Sequence, residues 1–318
     1  MGKNISIIIP VYCNEGSLKI TYENIVSQVI NKWPDKNFEL IFIDDGSIDN
    51  SYSELINLFH SHPDIIRIIK FPRNFGQVSA ILAGYIYSKG ECIINISADL
   101  QDPPSLMNEM IKAYEEEHFE IAIATRIDRD ESLGRKLTSK FFYNIIKKTI
   151  FKTMPTGGFD FVMISNKIKN IIISNKESNP FWQGQILWTG YPIKYFPYER
   201  KKRIIGESKW TFSKKIKYLI DGILAYSYLP LRIMSLLGII LFLLGIIYSL
   251  VILINYFFGN IPFKGWAPIM ILILTLSGIQ MLMLGIIGEY LWRTLDQVRN
   301  RPQYLIEETH GFYEKIDN

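Results

Sequence analysis

The stretch "SADLQDPP", residues 97–104, follows the apolar run "CIINI" of residues 92–96. Asp99 and Asp102 therefore stand where a buried strand is expected to end. The two prolines that follow stop the strand, because proline has no backbone N–H to donate to a neighbouring strand. Ligands of open α/β sheets bind at the carboxyl ends of the strands. Acids at this position predict a ligand site at the end of a strand.

Residues 1 to about 125 alternate between short apolar runs and amphipathic segments. The runs have the length and the β-branched content of buried strands, and the segments between them have the apolar spacing of helices. This alternation predicts an α/β fold of βαβ units with a mostly parallel sheet. Three expected strand ends carry polar clusters, "PVYCNE" (10–15), "DDGS" (44–47) and "SADLQD" (97–102). We expect these clusters to meet at one edge of the sheet.

The composition argues against two classes of protein. Lysine and arginine number 35 against 31 aspartates and glutamates, and the net charge of +4 is too small to indicate nucleic-acid binding. The two cysteines, Cys13 and Cys92, do not make a disulfide framework and indicate a reducing compartment. The histidines lack the spacing of metal ligands.

Two C-terminal runs, residues 233–258 and 266–288, contain no charged residue. Each exceeds the roughly 20 residues that a helix needs to cross a bilayer. The connection between the runs is short, so they predict a transmembrane hairpin. Basic residues flank the outer ends of this hairpin, which by the positive-inside rule places both termini in the cytoplasm.

These patterns divide the chain into four expected regions. Residues 1–212 form a cytoplasmic α/β domain, and residues 213–229 form an interfacial amphipathic helix that lies on the membrane. Residues 230–293 contain the hairpin, and residues 294–318 form a cytoplasmic tail. The alternative for residues 213–229 is a surface helix of the α/β domain.

The acids at the strand ends have two interpretations. Asp99 and Gln101 lie two residues apart, so both side chains face one ion if the backbone stays extended. Oxygen ligands of this kind, shared with phosphates, suit Mg²⁺ or Mn²⁺. Asp102 either joins this site or caps the helix that follows the prolines. Asp44 and Asp45 belong either to a simple turn or to the same nucleotide-diphosphate site.

The ordered motifs "IIIPVYCNE", "DDGSIDNS", "RNFGQVSAILAGY" and "ADLQDPP" resemble family-2 glycosyltransferases with the GT-A fold. Together with "GESKW" and the expected hairpin, they resemble the branch that transfers a sugar from a nucleotide-sugar to a polyprenyl phosphate. This branch includes bacterial undecaprenyl-phosphate glucosyltransferases and, more distantly, dolichol-phosphate mannose synthases. The resemblance covers essentially the whole chain.

The resemblance implies roles in donor binding for residues at the first two strand ends. Pro10, Tyr12 and Glu15 would line the nucleoside pocket. Asp45 would contact the base or the ribose.

The resemblance also implies a catalytic centre. Asp99 and Gln101 would hold Mg²⁺ or Mn²⁺ on the diphosphate, so that Asp99 serves both donor binding and catalysis. Ser97 stands where the family has another acid, and its neutral hydroxyl is a weaker metal ligand. Asp160, in "TGGFDFVMIS" (156–165), resembles a catalytic acid near the anomeric carbon of the sugar. The alternative for Asp160 is a structural role in a glycine-rich turn.

Five residues resemble the family's contacts with the acceptor phosphate, for which arginine is suited by its bidentate fork, and for Arg203 and Lys209 the donor diphosphate is the alternative partner. They are Arg126, Arg135, Ser139, Arg203 and Lys209. Arg135 and Ser139 lie four residues apart and would share one face of a helix. Solvated surface charges are the alternative for Arg135, Arg203 and Lys209.

The implied reaction is an inverting transfer of a hexose to undecaprenyl phosphate at the cytoplasmic face of a bacterial inner membrane. UDP-glucose is the expected donor, and GDP-mannose, UDP-N-acetylglucosamine and aminosugar donors stay open. A phosphomonoester with a second pKa of about 6 is mostly dianionic at neutral pH and needs no strong base to attack. The expected partners are the donor, the lipid and the membrane, with a homo-oligomer, a flippase and a second, downstream transferase as further candidates.

Two rival functions stay open. A processive polysaccharide synthase has a similar fold but carries a Gln-x-x-Arg-Trp motif, and "QGQILW" (183–188) lacks the arginine before the tryptophan. A non-catalytic membrane scaffold that binds nucleotide is the rival from another class, and Ser97 in place of an acid is its best support.

Overall fold

The computed structural model describes residues 4–127, 147, 151–155, 158–175, 177–200, 222, 224, 226–258 and 267–312. The chain divides into two compact units. The first consists of Met1–Leu219 together with Pro302–Asn318, and the second is Ile220–Arg301. The end of the chain therefore belongs to the α/β unit, which the sequence did not predict.

The first unit is built on one sheet. Its strands are β1 (Asn4–Val11), β2 (Asn37–Asp44), β3 (Ile66–Lys70), β4 (Cys92–Asn95), β5 (Ile121–Arg126), β6 (Val162–Ser165), β7 (Ile193–Tyr198) and β8 (Glu308–His310). Within the described residues they form an eight-stranded sheet in the order β7-β5-β6-β4-β1-β2-β3-β8. The pairs β1–β2, β1–β4, β2–β3 and β5–β7 are parallel, and β4–β6, β5–β6 and β3–β8 are antiparallel. The predicted α/β fold with a mostly parallel sheet is confirmed.

Both units contain helices. Those described are α1 (Leu18–Gln28), α2 (Ser51–Ser61), α3 (Gln77–Tyr87), α4 (Met107–Glu115), α5 (Asn166–Ser174), α6 (Trp182–Trp188), α7 (Leu229–Phe257) and α8 (Ala267–Arg299). Short 3-10 helices cover Ile30–Lys32 and Pro104–Leu106.

The central strand β1 is buried along most of its length, as its apolar sequence requires. Ile7, Ile8 and Ile9 are completely buried, because helices cover both faces of a parallel sheet. Gly84 of α3 lets this helix approach β1 closely, since a Cβ atom at that position would lie 2.5 Å from Cγ2 of Ile8. This close packing holds α3 against β1 and fixes where the carboxyl end of β1 leaves the core.

Strand β6 runs antiparallel between β4 and β5, and the sequence did not predict it. Its first residue, Val162, pairs with Asn95 at the end of β4. The amide Nδ2 of Asn95 donates a hydrogen bond to the carbonyl oxygen of Asp160, 2.7 Å away. The insertion of β6 thus brings the turn that contains Asp160 to the carboxyl end of β4.

The C-terminal segment, residues 302–312, lies along the other edge of the sheet. Its strand β8 pairs antiparallel with β3, where Glu308 opposes Lys70. The ring of Tyr304 stacks on that of Phe71, with centroids 5.0 Å apart. Part of the region expected to be a tail is therefore an integral element of the α/β unit.

The second unit contains the two long helices α7 and α8. The stretch Leu229–Tyr248 is long and apolar enough to cross a membrane, and it is the single stretch that qualifies among the described residues. Helix α8 continues to Arg299, beyond the expected end of the second span at residue 288. Within this unit, the hydroxyl of Tyr290 donates to the carbonyl oxygen of Ser227 at 3.2 Å.

Candidate active site

The three polar clusters come together because β4, β1 and β2 are adjacent parallel strands. Their carboxyl ends therefore open onto the same edge of the sheet. The Cys13 N–H donates to the Ser47 hydroxyl at 3.0 Å, which ties the first cluster to the second. The Ser17 hydroxyl donates to the carbonyl oxygen of Ala98 at 3.1 Å, which ties the start of α1 to the third.

The Asp45 carboxylate organises a loop that follows β3. Its Oδ1 accepts the N–H of Phe75 at 2.7 Å, and its Oδ2 accepts the N–H of Gly76 at 3.0 Å. Gly76 has φ of +101°, which a side chain would oppose. Burial raises the pKa of Asp45 to about 6, although these two donors act to lower it. The carboxylate predicted to contact the base or ribose thus also holds the loop before α3.

The other predicted nucleoside residues surround the end of β1. Pro10 and Tyr12 are half-buried, and Glu15 is exposed. The Tyr12 N–H donates to Oδ1 of Asn14 at 2.9 Å, which turns the chain after the strand. Oε1 of Glu15 accepts a hydrogen bond from Nδ2 of Asn50 at 2.8 Å.

The backbone around Asp99 forms a turn, so the condition under which both side chains face one ion, an extended chain from Asp99 to Gln101, is not met. Leu100 has φ of +60°, in the left-handed region. The turn lets the Gln101 N–H donate to Oδ1 of Asp99 at 3.2 Å. The Ser97 hydroxyl donates to the same oxygen. Asp99 is only 7% exposed, and the serine in the place of an acid serves to orient its carboxylate.

Asp102 points into the site and does not cap a helix. The 3-10 helix Pro104–Leu106 and helix α4 both start without a side-chain cap. The Tyr198 hydroxyl instead donates to Oδ1 of Asp102. Its Oδ2 is buried with no hydrogen-bond partner among the described residues. Burial raises the pKa of Asp102, against the opposing effect of the Tyr198 hydrogen bond.

Arg200 lies beside both of these acids. Its Nη2 is 3.8 Å from Oδ2 of Asp99, and its Nε is 3.8 Å from Oδ1 of Asp102. Neither Arg200 nor Tyr198 was predicted from the sequence to be a site residue. Tyr198 is the last residue of β7, and Arg200 follows it by two residues. An aromatic hydroxyl and an arginine at a strand end are the signal that could have found them.

Arg126, at the end of β5, forms an ion pair with Asp160. Nη2 of Arg126 lies 2.6 Å from Oδ2 of Asp160, and its Nε donates to the Tyr198 hydroxyl at 3.3 Å. Burial lowers the pKa of Arg126. The negative charge of Asp160 and the neighbouring Tyr198 and Asp102 more than offset this effect, so the pKa of Arg126 lies above its ordinary value. The predicted acceptor arginine and the predicted catalytic acid are therefore direct partners. Tyr198 connects this pair to Asp102.

Four of the predicted acceptor residues, Arg135, Ser139, Arg203 and Lys209, lie outside the described residues. Among the residues that the structure does describe, no group of three or more histidine, cysteine or acidic side chains is arranged as a metal site. The carboxylates described at this turn are those of Asp99 and Asp102, which share the Arg200 guanidinium.

Comparison with known proteins identifies the family. The model of glycosyl transferase family 2 matches residues 6–171, more than half of the chain. The model of the GtrB C-terminal hairpin matches residues 229–293.

Several known proteins are similar to this chain. The putative glycosyltransferase CsbB of Bacillus subtilis is 37% identical over 307 residues, which cover 96% of this chain and 92% of that protein. The SfII prophage-derived bactoprenol glucosyl transferase of Shigella flexneri is 30% identical over 309 residues, which cover 96% of this chain and 98% of that protein. A solved structure of glucosyl-3-phosphoglycerate synthase from Mycobacterium tuberculosis, in complex with Mn²⁺, UDP-glucose and phosphoglyceric acid, is 14% identical with a TM-score of 0.48, and the match covers 70% of this chain and 78% of that chain.

The family match and the near full-length similarity agree with the strand-end site of the α/β unit. This chain belongs to glycosyl transferase family 2, and it is a glycosyltransferase with a GT-A-like α/β fold and a GtrB-type C-terminal hairpin.

Proposed function

We propose that this glycosyltransferase transfers a hexose from a nucleotide-sugar to a polyprenyl phosphate, with inversion at the anomeric carbon. One observation carries the proposal. The strand-end edge of a family-2 domain holds a buried acid, Asp99, and an arginine–aspartate pair, Arg126–Asp160, in a chain that also matches the GtrB C-terminal hairpin. This arrangement suits two phosphate groups, one on each reactant.

The proposed donor is UDP-glucose and the proposed acceptor is undecaprenyl phosphate. Support comes from the bactoprenol glucosyl transferase of Shigella flexneri, whose similarity extends along almost the whole chain. Pro10, Tyr12, Glu15 and Asp45 are the proposed nucleoside contacts. GDP-mannose, UDP-N-acetylglucosamine and aminosugar donors are the alternatives that the experiment below separates.

The residues around Asp99 fit a divalent cation of the Mg²⁺ or Mn²⁺ type. The described contacts place the Ser97 hydroxyl on the Asp99 carboxylate, so this turn offers carboxylate and hydroxyl oxygens, and the amide oxygen of Gln101 is a proposed further ligand. Such ions are commonly bound through one or two carboxylates together with substrate phosphates, so a single acid is sufficient. The buried and unsatisfied Oδ2 of Asp102 is a further acceptor nearby. When bound, the cation would neutralise the charge that develops on the departing nucleotide diphosphate.

Arg126 is proposed to hold the acceptor phosphate while Asp160 orients its guanidinium. A guanidinium has five N–H donors, and the contacts with Asp160 and Tyr198 in the described part of the chain use two of them. The remaining donors can bind a phosphate in the bidentate manner. Arg135, Ser139, Arg203 and Lys209 are proposed to share this task.

The phosphate acceptor needs no general base, because it is already mostly dianionic at neutral pH. The chain's task is therefore to bring two anions together in line with the anomeric carbon. Asp99 would hold the cation on the side of the sugar from which the nucleotide diphosphate departs. The Arg126–Asp160 pair would place the attacking oxygen on the other side, which gives inversion.

The proposed location is the cytoplasmic face of a bacterial inner membrane, with the α/β unit in the cytoplasm. The apolar stretch Leu229–Tyr248 and the hairpin match support a membrane hairpin, and the basic outer flanks support this orientation. A cysteine replacing Asn260 should react with an impermeant reagent outside spheroplasts, and one replacing Asn318 should not. The reverse labelling pattern would refute the orientation.

The decisive experiment uses the full chain in detergent with undecaprenyl phosphate and a panel of radiolabelled nucleotide-sugars. We expect label from UDP-glucose in the organic phase, none with Asp99→Ala, and none in excess EDTA. Donor binding without transfer from any donor would favour the non-catalytic scaffold. Label in a precipitable polymer would favour the processive synthase.

A further inference from the structure

Arg200 stands between two acids that belong to the acidic turn, residues 97–102. Its guanidinium lies 3.8 Å from Asp99 and 3.8 Å from Asp102 through two different nitrogen atoms. The side chains of Asp99 and Asp102 are 8% and 0% exposed, and that of Arg200 is 32% exposed. One partly exposed cation thus serves two buried carboxylates.

The acids need such a cation. Two carboxylates of like charge that are taken out of water repel each other and lose hydration, and this is costly unless a positive charge is near. Arg126 is already paired with Asp160 at 2.6 Å, so its charge is largely committed. Arg200 is a described counter-ion of Asp99, 3.8 Å from its carboxylate.

The contact is nevertheless loose. At 3.8 Å the guanidinium is beyond hydrogen-bond distance of either carboxylate. Each acid is also oriented without it, since the Ser97 hydroxyl donates to Asp99 and the Tyr198 hydroxyl donates to Asp102. The acids would keep their geometry if Arg200 moved away, and Arg200 is exposed enough to do so.

We propose that Arg200 is the cation that a divalent metal replaces at Asp99, and that the displaced guanidinium then binds the diphosphate of the donor. The inference rests on the proposed metal-dependent function and assigns a role to a residue outside the expected metal and acceptor sets. A guanidinium binds phosphate oxygens in a bidentate fork. After displacement from Asp99, the Arg200 guanidinium would therefore bind the diphosphate next to the metal. Arg200 would thus act as a positioning residue for the leaving group.

This exchange has a consequence that a purely structural arginine lacks. Removing Arg200 removes a competitor for Asp99, so Mn²⁺ alone should bind more tightly while the nucleotide should bind less tightly. A structural role predicts that both affinities fall together or that neither changes.

The experiment measures Mn²⁺ binding to the full chain in detergent, without nucleotide, from the electron paramagnetic resonance signal of free Mn²⁺. We expect Arg200→Met to bind Mn²⁺ about two- to fivefold more tightly than the parent chain, as the loss of a partly exposed ion pair implies. Arg200→Lys, which keeps the charge, should stay close to the parent. Lys19→Met is the matched control, because it removes an exposed charge from α1.

The second measurement is UDP binding in saturating Mn²⁺. We expect Arg200→Met to bind UDP about tenfold or more weakly, since a charge-assisted contact is lost. Equal or weaker Mn²⁺ binding by a folded Arg200→Met chain, or undiminished UDP binding, overturns the proposal. If Arg200→Met does not fold, Arg200→Gln gives the same two readouts. Absence of sugar transfer to lipid by the parent chain would refute the proposed function, and the Mn²⁺ measurement would still decide the exchange.

Discussion

Arg126 and Asp160 form an ion pair with Nη2 and Oδ2 2.6 Å apart, although one residue ends β5 and the other precedes β6. The antiparallel insertion of β6 beside β5 makes this contact. The side chain of Arg126 is 18% exposed and that of Asp160 is 33% exposed, so the pair is within reach of a ligand.

Replacement of Asp160 by asparagine should impair use of the acceptor. The change keeps the size of the side chain and removes the charge that orients Arg126. Loss of a charge-assisted contact costs roughly 1.5–3 kcal/mol, which is about a 10- to 150-fold drop in kcat/KM for the lipid. The measurement is transfer kinetics with varied lipid, together with titration of the donor alone.

Glu117→Gln is the control for this variant. Glu117 pairs with Lys194 on the surface, where an ion pair contributes about 0–1 kcal/mol, so activity should stay near that of the parent chain. If Asp160→Asn weakened donor binding as much as lipid turnover, the Arg126–Asp160 pair would belong to the donor site and the assignment to the acceptor would be wrong.

Replacement of Tyr198 by phenylalanine should destabilise the site. The lost hydroxyl is the described hydrogen-bond donor of buried Asp102. A buried acceptor left without its partner costs about 1–3 kcal/mol of unfolding free energy. Tyr195→Phe, on the same strand, is the control. The Tyr195 hydroxyl donates to the exposed carbonyl oxygen of Thr153, where water can replace the lost hydrogen bond. Thermal unfolding should show the larger decrease for Tyr198→Phe, and equal shifts in the two variants would contradict the role of Asp102.

The polar clusters at the carboxyl ends of β1, β2 and β4 were predictable from the sequence, because each depends on a local pattern of apolar and polar residues. The runs before Asp45 and Asp99 are apolar and short, and each ends in polar residues. Three features were not predictable. The short strands β6 and β8 depend on tertiary pairing more than on propensity. The left-handed turn at Leu100 uses no glycine, and the contact of Arg200 with the acidic turn joins positions about a hundred residues apart in the chain.

The raised pKa of Asp45 predicts how stability depends on pH. The folded pKa is about 6, above the usual value of 3.8, because the carboxyl group is buried. A raised carboxyl pKa means that the folded state binds the proton more tightly than the unfolded state does. The stabilisation from Asp45 is therefore fully present below about pH 3.8 and is lost as the pH rises through about 6. A shift of this size corresponds to at most about 3 kcal/mol.

Asp45→Asn isolates this effect, because asparagine does not titrate. The melting temperature of the parent chain minus that of Asp45→Asn should decrease as the pH rises from 4 to 7. The comparison cancels the contributions of other titrating groups, which both chains share. A difference that stays constant or increases with pH would show that the folded state does not raise the pKa of Asp45.

Replacement of Tyr304 by alanine should weaken both the α/β unit and the loop before α3 that Asp45 holds. The Tyr304 ring stacks on Phe71, and Phe71 packs edge-on against Phe75, with centroids 5.7 Å apart. The Phe75 N–H is one of the two backbone donors that hold Asp45, so the C-terminal segment supports the loop before α3 through a chain of contacts. Tyr304 is half-buried, and its truncation should cost about 2 kcal/mol, roughly half of the usual cost for a fully buried aromatic side chain.

The measurement is thermal unfolding together with UDP binding for Tyr304→Ala, with Tyr304→Phe and Leu305→Ala beside it. Tyr304→Phe keeps the stacked ring and should retain UDP affinity. Leu305 is 53% exposed, so its truncation should change stability by about 0.5 kcal/mol or less. We expect the melting temperature and the UDP affinity to fall together in Tyr304→Ala alone, because the same contacts order the loop and the sheet edge. If UDP affinity were unchanged while the melting temperature fell, the C-terminal segment would stabilise the sheet without supporting the loop at Asp45.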